Sequence, residues 1–289
     1  MILIADSGAT KTDWCYGTVG THCMRIQTEG INPFHQSEAH IRHIIGEQLV
    51  PRCQQVSGVC TDIFFYGAGC LPSVSSPIRE ALQHFFPQAR ITVETDLLGA
   101  ARALCQHRPG IACILGTGSN SCLYDGERIA ENISPLGYIL GDEGSGAYLG
   151  KQFVADCLKK QLSTRLCDAL LTELSMDASG IIERVYRQPQ ANRFLASIAP
   201  FIHRHKDEAE VHAFLLRCFD AFFRRNVLLY SRQLPASFVG SVAWHFRTEI
   251  EEAAHACGIP VGTFLQSPIE KLAEYHFTPL TSPSAASSL

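Results

Sequence analysis

Two short loops carry the residue types that hold phosphate. The first, Asp6-Ser7-Gly8-Ala9-Thr10-Lys11, joins the apolar run Ile2 to Ala5 to a second apolar run beginning at Asp13. Its backbone amides and hydroxyls can wrap an anion without a helix following, and Gly8 permits a tight turn. The second, Gly116-Thr117-Gly118-Ser119-Asn120, follows the apolar run Ile111 to Leu115 and leads into another from Ser121 to Tyr124. Facing each other, two such loops could hold the β- and γ-phosphates of ATP from opposite sides. Each alone also reads as an ordinary β-hairpin. The second loop lacks the third glycine and the following helix of a dinucleotide fingerprint, which argues against NAD or FAD. A near match to the P-loop, Gly146 to Lys151, falls in a helical pattern and has Gln152 where Ser or Thr belongs, so it is set aside.

The surrounding elements alternate. Strands are expected at Ile2 to Ala5, Asp13 to Val19 and Cys23 to Thr28, then an amphipathic helix capped by Ser37 with Ile41, Ile44, Ile45 and Leu49 on one face. A strand at Ile63 to Tyr66 precedes a helix opened by Ser76-Pro77, and a strand at Ile91 to Glu94 precedes a helix at Leu97 to Cys105. Strands separated by helices imply a largely parallel sheet covered on its faces. At Ile111 the plan starts again, with a hairpin turn at Asp125-Gly126. Gly146 to about Tyr230 is mostly helical. A last α/β unit follows, with strands at Phe238 to Val242 and Val261 to Leu265 and helices at Phe246 to Cys257 and Ile269 to Tyr275. The repeat predicts a duplicated α/β architecture with a cleft between two lobes. The lobes are placed at residues 1–107 and 108–280, the last helix being free to pack back on the first lobe, with a flexible Ser/Ala/Pro tail over 281–289.

A chain of 289 residues, 46% hydrophobic, can bury a sizeable core, and a net charge of −4 offers no broad basic surface for nucleic acid. No apolar stretch reaches the ~20 residues of a membrane span, and the first residues show no export signal. A soluble, cytoplasmic protein with reduced thiols is expected. Its twelve cysteines are scattered without any C-x-x-C, so most are read as small buried hydrophobes rather than metal ligands. His203 and His205, with Arg204, Lys206 and Asp207, read as a solvated polar segment.

The two loops, together with Thr95-Asp96-Leu97-Leu98-Gly99-Ala100, Gly141-Asp142-Glu143-Gly144-Ser145 and Gly240-Ser241-Val242-Ala243, occur in the order of a known motif series. The chain resembles the BadF/BadG ATPase and N-acetylglucosamine kinase family over nearly all its length, to about Pro279. That resemblance implies the duplicated, ribonuclease H-like fold of actin, hsp70 and hexokinase, with ATP and Mg²⁺ as cofactors. It implies phosphate contacts from Ser7, Gly8, Ala9, Thr10 and Lys11 and from Gly116, Thr117, Gly118 and Ser119, and adenosine-side contacts from Gly240, Ser241 and Val242. Asp6 would hold Mg²⁺ through water. Asp96 would take the proton from the attacking sugar hydroxyl, and Asn32, Gly137 and Asp142, with Asp96, would bind the sugar. Leu136 departs from the tryptophan that an animal member carries.

Each role has a plainer competitor. Asp6 could be a turn residue, Asp96 a helix N-cap, Asn32 a turn asparagine before Pro33, Asp142 a cap for the helix near Ser145, and Gly240 a bare strand-to-helix turn. The function implied is ATP-dependent phosphorylation of a hexosamine-type sugar, with no nucleic-acid or membrane partner and a homodimer left open. The competing functions are an activator ATPase with a bridging iron–sulfur cluster, and a silent sugar or nucleotide sensor.

Overall fold

The structure, a computed structural model, describes residues 1–8, 10–18, 24–55, 58–71 and 73–277. Ala9, Val19, Cys23 and the tail expected over 281–289 lie outside the described residues. The chain divides into two compact units. One holds Met1–His107 and takes in the chain from Pro268, and the other holds Arg108–Ser267.

The first unit is built on a five-stranded sheet of order β3-β2-β1-β4-β5. Its strands are β1 (Ile2–Ser7), β2 (Lys11–Gly17), β3 (Met24–Glu29), β4 (Asp62–Gly67) and β5 (Arg90–Thr95). β1 runs antiparallel to β2 and parallel to β4. As a central strand it is covered on both faces, and Leu3, Ile4 and Ala5 are each fully buried. This is why its sequence is a continuous apolar run and not an alternation.

The second unit repeats the plan with β6 (Gly110–Leu115), β7 (Ser119–Tyr124), β8 (Ile129–Glu131), β9 (Ala236–Val239) and β10 (Val261–Leu265), in the order β10-β9-β6-β7-β8. Here β6 pairs antiparallel with β7 and parallel with β9, matching the pairings of β1. The long helical segment between β8 and β9 supplies an aromatic core in which Phe153 meets Phe201 and Phe214 edge to face.

The Ser37 side chain accepts from the His40 amide and starts the first helix as expected, but the helix Glu38–His43 then widens into a π-helical stretch over Ile44–Leu49. Gly46 lies there, and a Cβ on it would come within 2.8 Å of the Phe85 ring. Trp14 is buried and donates to the Thr28 hydroxyl at 3.0 Å, a core role. Among the described residues no helix is long and apolar enough to cross a membrane. Ten described cysteines are free thiols and eight of those are buried. Cys15 departs from the expectation of reduced thiols: it is disulfide-bonded. A disulfide needs two cysteine Cα atoms within about 7 Å in the folded chain, and linear spacing does not reveal that proximity.

Candidate active site

In the first unit the loop after β1 is a tight hairpin, closed by the Gly8 amide donating to the Lys11 carbonyl at 3.0 Å. The register sets Asp6 on β1 opposite Asp13 on β2 and beside Tyr66 on β4. Directly opposed residues share a face of the sheet, so two carboxylates meet here. Lys11 relieves part of that repulsion through a 2.8 Å ion pair with Asp13. The Asp6 carboxyl is pushed up to about 7 by burial first, then by the negative charges of Asp96 and Asp13, with Lys11 opposing.

Asp96 begins the helix Asp96–Cys105 directly after β5. The capping duty that a sequence reading could assign to it falls on Thr95, whose hydroxyl accepts from the Leu98 amide at 3.3 Å. The Asp96 carboxylate accepts from the Leu97 amide at 2.9 Å and from its own backbone amide. Burial raises its pKa, and these two hydrogen bonds oppose the shift. The helix is seated by Gly99, where a Cβ would stand 2.8 Å from Tyr66, and by Arg102, which donates to the Tyr66 hydroxyl at 2.7 Å. Arg102 and Tyr66 therefore fix the direction in which Asp96 leaves the sheet.

Ser7 acts through structure. Its fully buried hydroxyl lies 2.7 Å from the Thr12 hydroxyl, donates to the Ile31 carbonyl at 2.9 Å and accepts from the Ile31 amide at 3.0 Å. These bonds strap the segment Gly30 to Asn32 to the first phosphate loop, as does the Gly30 amide donating to the Thr10 carbonyl. Asn32 makes the turn that its sequence also suggested, its Oδ1 accepting from the Phe34 amide at 2.9 Å. Its Nδ2 has no partner among the described residues. Gly69, at φ +75°, leaves room beside Asn32, since a Cβ there would come within 2.9 Å of Asn32 Oδ1.

In the second unit the loop between β6 and β7 is closed by the Gly116 amide donating to the Gly118 carbonyl at 2.9 Å. The amides of Gly146 and Ala147 reach back to the Gly116 and Thr117 carbonyls at 2.8 and 3.0 Å, so the start of the helix Gly146–Leu158 clamps the loop. That helix is capped by Ser145, which accepts from Tyr148, and not by Asp142. Asp142 is buried at φ +57° and lies against the loop: a Cβ on Gly118 would be 3.1 Å from its Oδ2. Burial pushes the Asp142 carboxyl up to about 6, opposed by a hydrogen bond from the Ser119 amide and reinforced by Glu143. Glu143 is itself buried and paired with Arg225. Gly137 follows Leu136, both in the left-handed region at φ +74° and +59°, and starts a short helix whose Ile139 and Leu140 are exposed. The discarded P-loop match is helical, and its Gly150 serves packing, since a Cβ would overlap the Leu195 carbonyl at 1.9 Å.

Gly240 ends β9 earlier than the sequence suggested, at φ +121°, with the helix Ser241–His245 starting where the strand was expected to continue. A Cβ at this position would fall 2.4 Å from the Leu115 carbonyl, so the turn admits glycine alone. Gly240→Ala should therefore cost at least about 2 kcal/mol in strained backbone and steric overlap. A lowered chemical-denaturation midpoint would register it, and an unchanged midpoint would show that the turn relaxes freely.

Beside this turn lies a cavity of about 400 Å³, a size suited to a nucleoside. Its walls include Gly116, Thr117 and Gly146 on one side and Ser241 and Val242 on another, so it brings together the second loop and the Gly-Ser-Val motif. Sequence reasoning missed the rest of the wall, which includes Ser197, Pro200, His203 and Arg204 from the helical segment, with His245 and Phe246. Of the segment read as solvated, Arg204 and Asp207 are exposed, while His203 is half-buried and lines the cavity. Its helical turn also packs inward, with Phe201 and Ile202 buried. The signal that could have found it is the Ala-Pro helix start Ala199-Pro200 ahead of His203, a break in a helical run.

No family model and no curated protein matches the chain. A solved structure does. A crystal structure from Porphyromonas gingivalis, of a protein named as a putative N-acetylglucosamine kinase, superimposes with a TM-score of 0.91 at 49% identity, covering 96% of this chain and 99% of that one. The chain belongs to the N-acetylglucosamine kinase-like family of actin-like ATPases. A second such kinase structure, from Chromobacterium violaceum, shares the fold with a TM-score of 0.70 at 20% identity, over 95% of this chain and 98% of that one. A glucokinase of the ROK family from Streptomyces griseus, solved with glucose and AMPPNP, shares it with a TM-score of 0.56 at 12% identity, over 94% and 98%.

In this N-acetylglucosamine kinase-like chain the sequence-based positions fall into two groups, one in each unit. The first unit gathers Asp6, Gly8, Thr10, Lys11, Asn32 and Asp96 around the carboxyl end of β1 and β5. The second gathers Gly116, Thr117, Gly118, Ser119, Asp142, Gly240, Ser241 and Val242 around the carboxyl end of β6 and β9. Strand ends of this kind are where ligands bind in open α/β sheets.

Proposed function

We propose that the chain transfers the γ-phosphoryl group of ATP to a hydroxyl of an amino sugar of the N-acetylglucosamine or glucosamine type. The observation that carries this reading is Asp96: a carboxylate released from capping by Thr95, raised in pKa by burial, and placed beside a second carboxylate at the phosphate loop. A base whose pKa lies nearer neutrality accepts a hydroxyl proton most effectively at the working pH. The name of the Porphyromonas gingivalis relative, half of whose residues this chain shares, supports an amino-sugar acceptor.

In this reading Asp96 Oδ takes the proton as the sugar oxygen attacks the γ-phosphorus and the bond to the ADP oxygen breaks. The backbone of Gly8, with Thr10 and Lys11, and the second loop from Gly116 to Ser119 stabilise the transferring phosphoryl. Asn32, Gly137 and Asp142 orient the sugar, and Gly240, Ser241 and Val242 seat the adenosine. The Asp6, Asp13 and Asp96 carboxylates fit Mg²⁺: all are oxygen donors, and their mutual repulsion at Asp6 is what a cation would relieve. Asp6 would reach the ion through water, with the phosphates supplying other ligands. When bound, the ion neutralises phosphate charge.

The activator reading has no observation in its favour. Burial pushes the Cys53, Cys60 and Cys70 thiols up to about 12, 11 and 12, away from the thiolate that ligates iron. A coupled assay of ADP release over a panel of amino and neutral hexoses tests the proposal. ADP should appear fastest with an amino sugar, and a rate indifferent to every sugar would reject it.

A further inference from the structure

Tyr66 stands near the carboxyl end of β4, beside Asp6 on β1 and Glu94 on β5. Its side chain is fully buried against the helix Asp96–Cys105, so close to Gly99 that a Cβ there would stand 2.8 Å from both its Cβ and its Cγ. Its hydroxyl meets two side chains. Arg102 Nη1, on that same helix, lies 2.7 Å away, and Nε2 of His276, on the helix Ile269–Phe277, lies 2.8 Å away. A guanidinium can only donate, so the Tyr66 oxygen accepts from Arg102. The hydroxyl proton then has His276 Nε2 as its acceptor, which places the imidazole proton on Nδ1. Burial, then the charges of Arg102 and His107, lowers the His276 pKa to about 3, so the ring is neutral and keeps accepting near pH 7. The bonds therefore run one way, from Arg102 to Tyr66 to His276.

His276 is itself held. Phe64 and Tyr66 share a face of β4, and the imidazole stacks on the Phe64 ring with centroids 3.8 Å apart. It also stands edge-on to Tyr275, whose ring lies 5.3 Å from the Arg102 guanidinium. A second tie joins the two helices where Gln106 donates to the Lys271 carbonyl at 3.1 Å. The tie through Tyr66 reaches closest to Asp96, because the tyrosine packs against Gly99, one turn along from the carboxylate. A helix moves as a stiff unit, and a misplacement of ~1 Å at a reacting group can cost ~10²-fold in rate.

We propose that His276 is a positioning residue for Asp96: by accepting from Tyr66 it keeps the tyrosine oxygen turned to Arg102 and holds in place the helix that carries the base. This rests on the role given to Asp96 above. The test measures kcat and KM with ATP and an amino sugar for His276→Ala, His276→Gln and Tyr66→Phe, each made alone and on top of Asp96→Asn. His276→Ala and Tyr66→Phe should each lower kcat by ~10- to 100-fold with KM for ATP near the wild-type value. His276→Gln, whose Oε1 can accept from Tyr66, should recover most of that loss. With Asp96→Asn already present, the same exchanges should cost less than about 2-fold, since the base they align is gone. An undiminished loss in that background, or wild-type kcat in either single variant, would overturn the inference. Crystal structures give a readout independent of turnover: the Asp96 carboxylate should shift by ~1 Å in His276→Ala, and carboxylates that superimpose would also overturn it. If His276→Ala does not fold, Tyr66→Phe carries both readouts. A wild type that phosphorylates no amino sugar would reject the proposed acceptor, while the displacement of Asp96 would still decide whether His276 positions it.

Discussion

Asp96→Asn should fold, bind nucleotide with near-normal affinity and lose phosphoryl transfer by ~10²- to 10⁴-fold, the usual contribution of a general base. The substitution keeps the shape of the side chain and removes the proton acceptor. Because Thr95 caps the helix, the exchange leaves the cap intact. The carboxamide oxygen can still accept from the Leu97 amide, as the carboxylate does at 2.9 Å. The loss should fall on kcat, with little change in KM for ATP. A variant that turns over at the wild-type rate would remove Asp96 from the mechanism. A variant that unfolds would show that the charge at this helix start is needed for stability instead.

Asp6→Asn should be less active and more stable. Burial and the charges of Asp96 and Asp13 push the Asp6 carboxyl from 3.8 up to about 7. The native protein therefore holds this proton more tightly than the unfolded chain does. The group favours folding at low pH, and that contribution is lost as pH rises from about 4 to about 7. Asparagine cannot ionise, so the variant should overtake the wild type across that window. The gap in unfolding free energy should grow to on the order of 2–4 kcal/mol and level off above about pH 7.5. Phosphoryl transfer should fall by on the order of 10²-fold or more if Asp6 organises Mg²⁺. Saturating Mg²⁺ and nucleotide should narrow the gap by stabilising the wild type preferentially. Parallel stability curves from pH 4 to 8 would contradict the crowding of carboxylates at this strand end.

Much of this architecture was legible because local rules agree with the fold. The apolar runs at Ile2 to Ala5 and Ile111 to Leu115 are central strands covered on both faces, and their repetition announced two sheets with the same pairings. Ser37 was readable as a cap because its bond to the His40 amide is local. What escaped depends on contacts between distant segments. Asp96 and Asp142 each stand where a cap is plausible, and only the geometry shows that Thr95 and Ser145 take that duty. Strand β9 was extended too far because Val242 is apolar and buried, yet the Leu115 carbonyl forces the chain to turn at Gly240. The short strand β8 spans only Ile129–Glu131, too brief to leave an alternation. His203 and Pro200 were invisible as cavity residues because a helical period tells which face is buried, not what that face meets.

Phosphorus NMR of the protein with ATP, Mg²⁺ and N-acetylglucosamine tests the central claim most directly. A new phosphate monoester signal should grow in step with ADP and disappear when the sugar is omitted. Free inorganic phosphate appearing at the same rate with and without sugar, and no ester, would contradict it.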